Sequence, residues 1–340
     1  MNKVRVIPVW DMTEKEWLKA REGGTGGSDA GTIARVNKYK SVYELWAEKT
    51  GIIEREFTGN DATDWGHKLE NPIAEFYAEK HNAAVVEWPV ILWSLEEGRE
   101  FMFANLDFVI VEPSKQFPAG VVTQWRSIEE PEGVKGILEV KTAAIASPGN
   151  PGSWLNNKIP ESYMLQGYHY GIVTGWKSIT FSALVGGYGL QVREMEWDQE
   201  IADNLVIAEK IFWEQVQTLT PPEVDGSDAT ESAQQRRYPK HTSGKVYEGG
   251  DRLQRLWEDF EQAKIEADEA DKKRKMLRAQ IVELLGDSEY ATVNGVTIAS
   301  YRASRETETF DTRAFQERHP ELYSQFLKTK NGVRQLRGSK

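Results

Sequence analysis

Three residues of this sequence have the types and spacing for phosphodiester hydrolysis: Asp107 in ANLDFVIV, and Glu139 and Lys141 in GILEVKTAA further along. Each carboxylate lies among β-branched and aromatic residues that predict a strand, where an unpaired charge is costly. Side chains alternate across a strand, so Glu139 and Lys141 share one face and Val140 takes the other. Two carboxylates and an ammonium at one sheet edge can hold a divalent cation, neutralise charge developing on a phosphate and orient an attacking water. Glu139-Val140-Lys141 is the only Glu-x-Lys in the chain. The same pair also fits an exposed strand-edge salt bridge, and the motif by itself leaves both readings open.

Composition narrows the chemistry. The 340 residues contain no cysteine, which excludes thiolate zinc sites, iron–sulfur clusters and cysteine nucleophiles, and the five histidines form no close metal-binding pair. Any metal is therefore held mainly by oxygen, which suits Mg²⁺ with Mn²⁺ as a substitute. The net charge of −11 argues against coating nucleic acid by bulk electrostatics, so DNA would be gripped by a local basic groove or through metal ions. MNKVRVIPVWDMTEKEW has no apolar run after its charges, and no window approaches the ~18 to 20 apolar residues of a membrane span. The expectation is a cytoplasmic protein, in a bacterium or a phage-infected host cell, without a membrane partner.

The elements that must position these residues follow from periodicity. KSVYELWAEKT predicts a helix ended by Gly51, and Leu69, Ile73, Phe76 and Tyr77 predict another over 65–81. Residues 84–143 read as strands of one sheet, with 112–133 a loop or inserted hairpin. IPESYMLQGYHYGIVTG predicts a helix between Pro160 and Gly175, followed by the strand pair SITFSALVGG and LQVREMEW. A helix from Asp198 to Thr218 packs by Ile201, Leu205, Ala208, Ile211 and Phe212. This order gives an α/β chain, a mixed sheet flanked by helices. The predicted division is a core over 1–218, a polar linker over 219–250, and a helical extension over 251–340. The extension comprises a long helix or helical hairpin, a small β-hairpin turning at Asn294-Gly295, and a final helix. Its charged helix reads as solvated and docked by one stripe, with coiled-coil assembly the alternative.

Five ordered segments carry a resemblance. REGGTGGSDAGTIARVNKYKSVYELWAEKTG, DWGHKLENPIAEFYAE, NLDFVIV, LEVKT and YMLQGYHYGIVTG together resemble the YqaJ-like viral recombinases, related to lambda exonuclease, within the PD-(D/E)xK nucleases. The resemblance implies a restriction-endonuclease-like core with metal ligation by Asp107, Glu139 and the Val140 carbonyl, with two ions per active site. Lys141 would orient the water, Glu70 would lie beside the metals, and Gln166 would touch the water or scissile phosphate. It also implies a 5′-phosphate and DNA-contact set of Arg21, Ser28, Asn105 and Tyr163, although Asn105 stands where the lambda enzyme has serine and no arginine closely follows Lys141. Trp154, in the Pro/Gly-rich segment SPGNPGSWLNN, is a further candidate for DNA contact. The implied activity is a 5′→3′ double-strand exonuclease acting on DNA with a free 5′ end and leaving a 3′ single strand for recombination. The implied partners are a single-strand annealing protein and further copies in a trimeric or tetrameric ring. A structure-specific or restriction-type endonuclease, and a catalytically silent DNA-binding or assembly module, are the alternatives.

Overall fold

The structure, a computed structural model, describes residues 1–340 except 56–60, 144–153, 155–157, 188, 330, 331, 333, 339 and 340. The chain forms two compact units, Met1–Pro239 and Lys240–Lys340.

In the first unit the strands fall into two sheets, not the single sheet expected. One has the order β1 (Val4–Pro8), β4 (Val90–Ser94), β5 (Met102–Ala104), β2 (Thr25–Gly26). The other runs β10 (Gly189–Met195), β9 (Ile179–Val185), β8 (Val134–Ala143), β6 (Phe108–Val111), β3 (Ala84–Val86), β7 (Gly120–Val122). The break within VVEWPVILW is at Pro89, which cannot donate to a ladder and separates β3 from β4. A second break, at residues 105–107, separates β5 from β6. Residues 112–133 are not a hairpin: β7 within them pairs in parallel with β3 at the sheet edge.

Helices cover both faces of the six-stranded sheet. On one, Ile73, Ala74 and Tyr77 of α4 (Asp61–His81) pack on Val85, Phe108, Leu138 and Val140. On the other, Tyr168, Ile172 and Val173 of α5 (Glu161–Thr174) join Val109, Ile137 and Phe181. Phe76, expected on the buried stripe of α4, is exposed. Helix α5 begins after Pro160 and ends at Gly175, whose φ of 79° supplies the left-handed cap. Helix α2 (Gly27–Ile33) lies against α5 so closely that a Cβ on Gly27 would stand 2.4 Å from Tyr170 Cε1.

Helix α6 (Gln199–Gln217) buries Ala202, Leu205, Glu209, Phe212 and Val216, whereas Ile211, expected in the core, is exposed. Glu209 is buried because it has partners. Thr25 Oγ1 donates to its Oε2 at 2.6 Å, and His169 Nδ1 lies 2.8 Å from its Oε1. The other ring nitrogen, Nε2, is 2.8 Å from the Phe103 carbonyl. Nε2 therefore donates to the carbonyl, and Nδ1 faces the Glu209 carboxyl. Burial opposes a charged ring, but Glu209, the Phe103 carbonyl and Asp29 together raise the His169 pKa.

The stretch expected as a linker over 219–250 contains α7 (Asp228–Arg237), which packs Ala233 into the core beside α3 (Val42–Lys49). Arg237 Nη1 donates to Tyr43 Oη at 2.7 Å, so the first unit runs to Pro239. Polar composition hid this helix because it needs only one small apolar face.

The second unit is built on α8 (Gly250–Leu285), one continuous helix of 36 residues and not a hairpin. The hairpin β11 (Tyr290–Val293) and β12 (Val296–Ser300) turns at Asn294 and Gly295, whose φ values of 51° and 80° suit a type I′ turn. Two short helices, α9 (Thr312–Arg318) and α10 (Pro320–Gln325), follow. Among the described residues no helix is long and apolar enough to cross a membrane.

Candidate active site

The site lies where β6 ends against β8. Residues 138 and 140 of β8 face α4, so Glu139 and Lys141 face the α5 side, as alternation requires. Asp107 is not inside a strand; it occupies the bend immediately before β6. Pairing of β6 with β8 extends from Phe108↔Leu138 away from this bend, and Asp107 Oδ2 accepts the Val140 N–H at 2.9 Å just beyond it. The side chain thus continues the ladder that the backbone abandons.

Glu139 is 1% exposed, which removes the reading of its pair with Lys141 as a solvated strand-edge salt bridge. Its Oε1 accepts from Lys141 Nζ and Gln166 Nε2, both at 2.6 Å, while Oε2 is buried without a partner among the described residues. Burial, and then the charges of Asp107 and Glu70, push Glu139 up to about 8 against the opposing pull of Lys141. Burial works against the Lys141 ammonium, but Glu139 and Asp107 outweigh it and raise its pKa. The ring of Tyr163 lies 5.0 Å from Lys141 Nζ, a cation–π contact. Glu70, on α4, is raised by burial and by Asp107, while its Oε1 lies 3.0 Å from His67 Nδ1.

Gln166 is bonded inside the site. Its amide nitrogen donates to Glu139 and also to Tyr170 Oη at 2.9 Å, so both of its hydrogens are committed. Gln166 positions Glu139. Tyr170, one helical turn further along α5, is a site neighbour that the motifs did not single out; only its i+4 spacing from Gln166 could have indicated it. Burial, with the Glu139 and Asp107 charges, holds the Tyr170 phenol well above its ordinary pKa.

Arg21 and Ser28 line a separate cleft of about 530 Å³. The Arg21 guanidinium lies 4.0 Å from the centre of the Trp17 ring and 5.3 Å from that of Phe103. Burial lowers its pKa, opposed by Asp29, and nearby Arg55 lowers it further. Asp29 is tied to Lys49 at 2.9 Å and to the Gly26 N–H at 3.0 Å. Tyr170 is close enough to Arg21 for each to affect the other's charge, which connects the cleft to the carboxylates through Gln166.

One expected DNA contact is corrected, and another is tied into the fold. Asn105 Nδ2 donates to the Val90 carbonyl at 3.1 Å and its Oδ1 is buried without a partner among the described residues, so it holds β4 to the bend before Asp107. Trp154 is 3% exposed and packs on Tyr163 and Phe181; it belongs to the core, and the rest of its Pro/Gly-rich loop lies outside the described residues.

Among the described residues no three carboxylate or imidazole groups already stand together as an ion-binding cluster. The donors nonetheless fit a divalent cation by their chemistry. One oxygen of Glu139 is saturated by two donors, the other is buried and unpartnered, and two further acids raise its pKa. A cation at Oε2 would relieve all of these at once.

The profile of the YqaJ-like viral recombinase domain matches residues 16–177, which include Arg21, Asp107, Glu139, Lys141 and Gln166. A protein of Bacillus subtilis (strain 168), described as uncharacterized protein YqaJ, is 30% identical over 324 residues, covering 94% of this chain and 92% of that protein. Among solved structures, LHK-Exo in complex with dAMP superposes with a TM-score of 0.45 at 15% identity, covering 61% of this chain and 94% of its own. A second structure of LHK-Exo, an alkaline exonuclease from Laribacter hongkongensis, gives a TM-score of 0.43 with the same identity and coverage. With a profile match across every residue of the carboxylate centre and a relative aligned almost end to end, the chain belongs to the YqaJ-like viral recombinase family.

Proposed function

We propose that the protein is a divalent-metal-dependent deoxyribonuclease that degrades linear duplex DNA from its 5′ ends and leaves a 3′ single strand for recombination. The observation that carries the reading is the unpartnered, buried Oε2 of Glu139 beside Asp107, with Lys141 fixed 2.6 Å from Oε1. Asp107, Glu139 and the Val140 carbonyl would hold the ions, two per site, with Glu70 alongside. Mg²⁺ or Mn²⁺ held there would supply Lewis-acid charge for phosphodiester hydrolysis.

The chain's own groups do the rest. Lys141, kept protonated by Glu139 and Asp107, presents N–H donors toward the water and steadies negative charge at the phosphate. Gln166 and Tyr170 fix the Glu139 rotamer, and Tyr163 shields the ammonium on one side. Arg21, held by contacts with the Trp17 and Phe103 rings, would offer a terminal phosphate its guanidinium, with Ser28 lining the same cleft. A single-strand annealing protein and a trimeric or tetrameric ring of this chain complete the reading. A ring gives an acidic protein a local basic channel for DNA.

The test is digestion of linear duplex DNA labelled separately at each end, alongside a closed circle, in Mg²⁺, with Asp107→Ala as control. Progressive loss from 5′ ends that spares the circle supports the reading. Cutting of the circle assigns an endonuclease, and no cleavage of either substrate assigns a binding or assembly module. Arg21→Ala is expected to slow digestion of 5′-phosphorylated ends by at least ~10-fold relative to 5′-hydroxyl ends, the size expected for loss of a charge-assisted hydrogen bond. An equal effect on both ends would remove Arg21 from phosphate recognition.

A further inference from the structure

The mechanism makes no use of Lys240–Lys340, and within that unit one stripe of α8 is left uncovered. Leu253, Leu256 and Phe260 near its start, and Leu277, Ile281 and Leu284 near its end, are all exposed, from 42% at Phe260 to 88% at Leu284. They are spaced alternately three and four residues apart, with Ala263, Ala267 and Ala270 continuing the pattern between them and Arg274 its one charged member. This is the spacing by which two helices wind together. The helix is about 54 Å long, too long for the small hairpin beside it to cover.

Both signs of charge border the stripe. Asp259, Lys264 and Glu266 lie beside its first half, Asp271, Lys273 and Arg278 beside its second, and Arg274 within it. In the second half, α8 and the end of β12 enclose a cleft of about 540 Å³, with Ala270, Leu277 and Ile281 as its apolar base and Lys273, Arg274 and Arg278 at its rim. Glu266 and Lys273, and Lys264 and Asp271, are pairs of opposite charge across the midpoint of the helix.

We infer that α8 of a second copy of this chain packs along this stripe in antiparallel orientation. The register that sets Leu253 against the second copy's Leu284 also sets Leu256 against Ile281 and Phe260 against Leu277. It brings Ala267 to Ala270 at the centre, where small side chains let the helices approach closely. Along the flanks of the seam, Glu266 meets the second copy's Lys273, Lys264 meets Asp271, and Trp257 meets Arg278. Each contact occurs twice by symmetry. A parallel pair in register would set Glu266 against Asp271 and Lys273 against Arg278, like against like, with Asp259 against Lys264 as its attraction. Asp271 is already bonded to Arg274 and Lys275 of its own helix, so the Glu266–Lys273 contacts contribute most to the choice of orientation. The inference is independent of the nuclease reading.

The test uses the full chain in sedimentation velocity over a concentration series. Glu266 and Lys273 are exposed, so reversing their charges leaves the fold intact. E266K and K273E are each expected to weaken self-association at least ~10-fold by placing like charges at two symmetric positions. The E266K/K273E double variant restores it. If the nuclease unit also self-associates, the single reversals halve the mass of the assembly. Orientation is read separately, since the chain has no cysteine: F260C and L277C form an oxidised cross-link when mixed and little when each is alone. A wild-type assembly unchanged by either reversal, a wild-type chain that stays monomeric, or cross-linking of F260C to itself would overturn the inference.

Discussion

Glu139→Gln is expected to abolish Mg²⁺-dependent cleavage while leaving the protein at least as stable as the wild type in EDTA. The amide keeps the shape of the side chain and an oxygen for Lys141 and Gln166, but it no longer supplies the anionic oxygen that a cation needs. The stability half follows from the raised pKa. Glu139 moves from an ordinary 4.5 to about 8 in the folded chain, so the native state holds a proton that the unfolded state has lost. Stability contributed by this group therefore falls as the pH rises from about 4.5 toward 8, opposite to the usual behaviour of a paired carboxylate. Thermal melts in EDTA at pH 5 and pH 8.5 should show a steeper decline for the wild type than for the variant, and Mg²⁺ should raise the melting temperature of the wild type alone. Parallel slopes would remove Glu139 as the titrating group, and persistent cleavage by the variant would remove it as a metal ligand.

Lys141→Ala is expected to lose at least ~10²-fold in turnover at saturating Mg²⁺ while still binding DNA, the loss associated with a positioned proton-transfer or water-orienting group. Removing the ammonium also removes the main influence holding Glu139 down, so the variant should need more Mg²⁺ or a higher pH to reach its own maximum. Single-turnover cleavage across a Mg²⁺ series separates the two effects. Turnover that returns to the wild-type level at high Mg²⁺ would reduce Lys141 to a partner of Glu139.

Much of this centre was legible because strand alternation is local. Glu139 and Lys141 needed only the period of β8 to be placed on one face, and Pro160 and Gly175 bounded α5 correctly. Asp107 was expected inside a strand, since the apolar residues around it read as one strand where the chain in fact crosses between sheets. Trp154 was misread for a related reason: prolines and glycines around it signalled an exposed loop, and nothing local revealed that its ring reaches Tyr163 and Phe181. The His169–Glu209 pair was invisible because its members come from separate helices and only the histidine lies in one of the five segments. Strand β1 and helix α7 were missed because each contributes few apolar residues of its own.

The His169–Glu209 pair also bears on where this protein can be shortened. The family profile ends at residue 177, so a fragment cut there would keep every residue of the carboxylate centre. It would also keep His169 while discarding its partner Glu209 on α6, along with Phe212 and Val216 from the core beside α3. Losing the partner of a buried polar ring together with buried apolar side chains costs several kcal/mol, a large share of what holds a domain together. Such a fragment is expected to be insoluble, and the smallest autonomous piece should instead extend through α7 to Pro239.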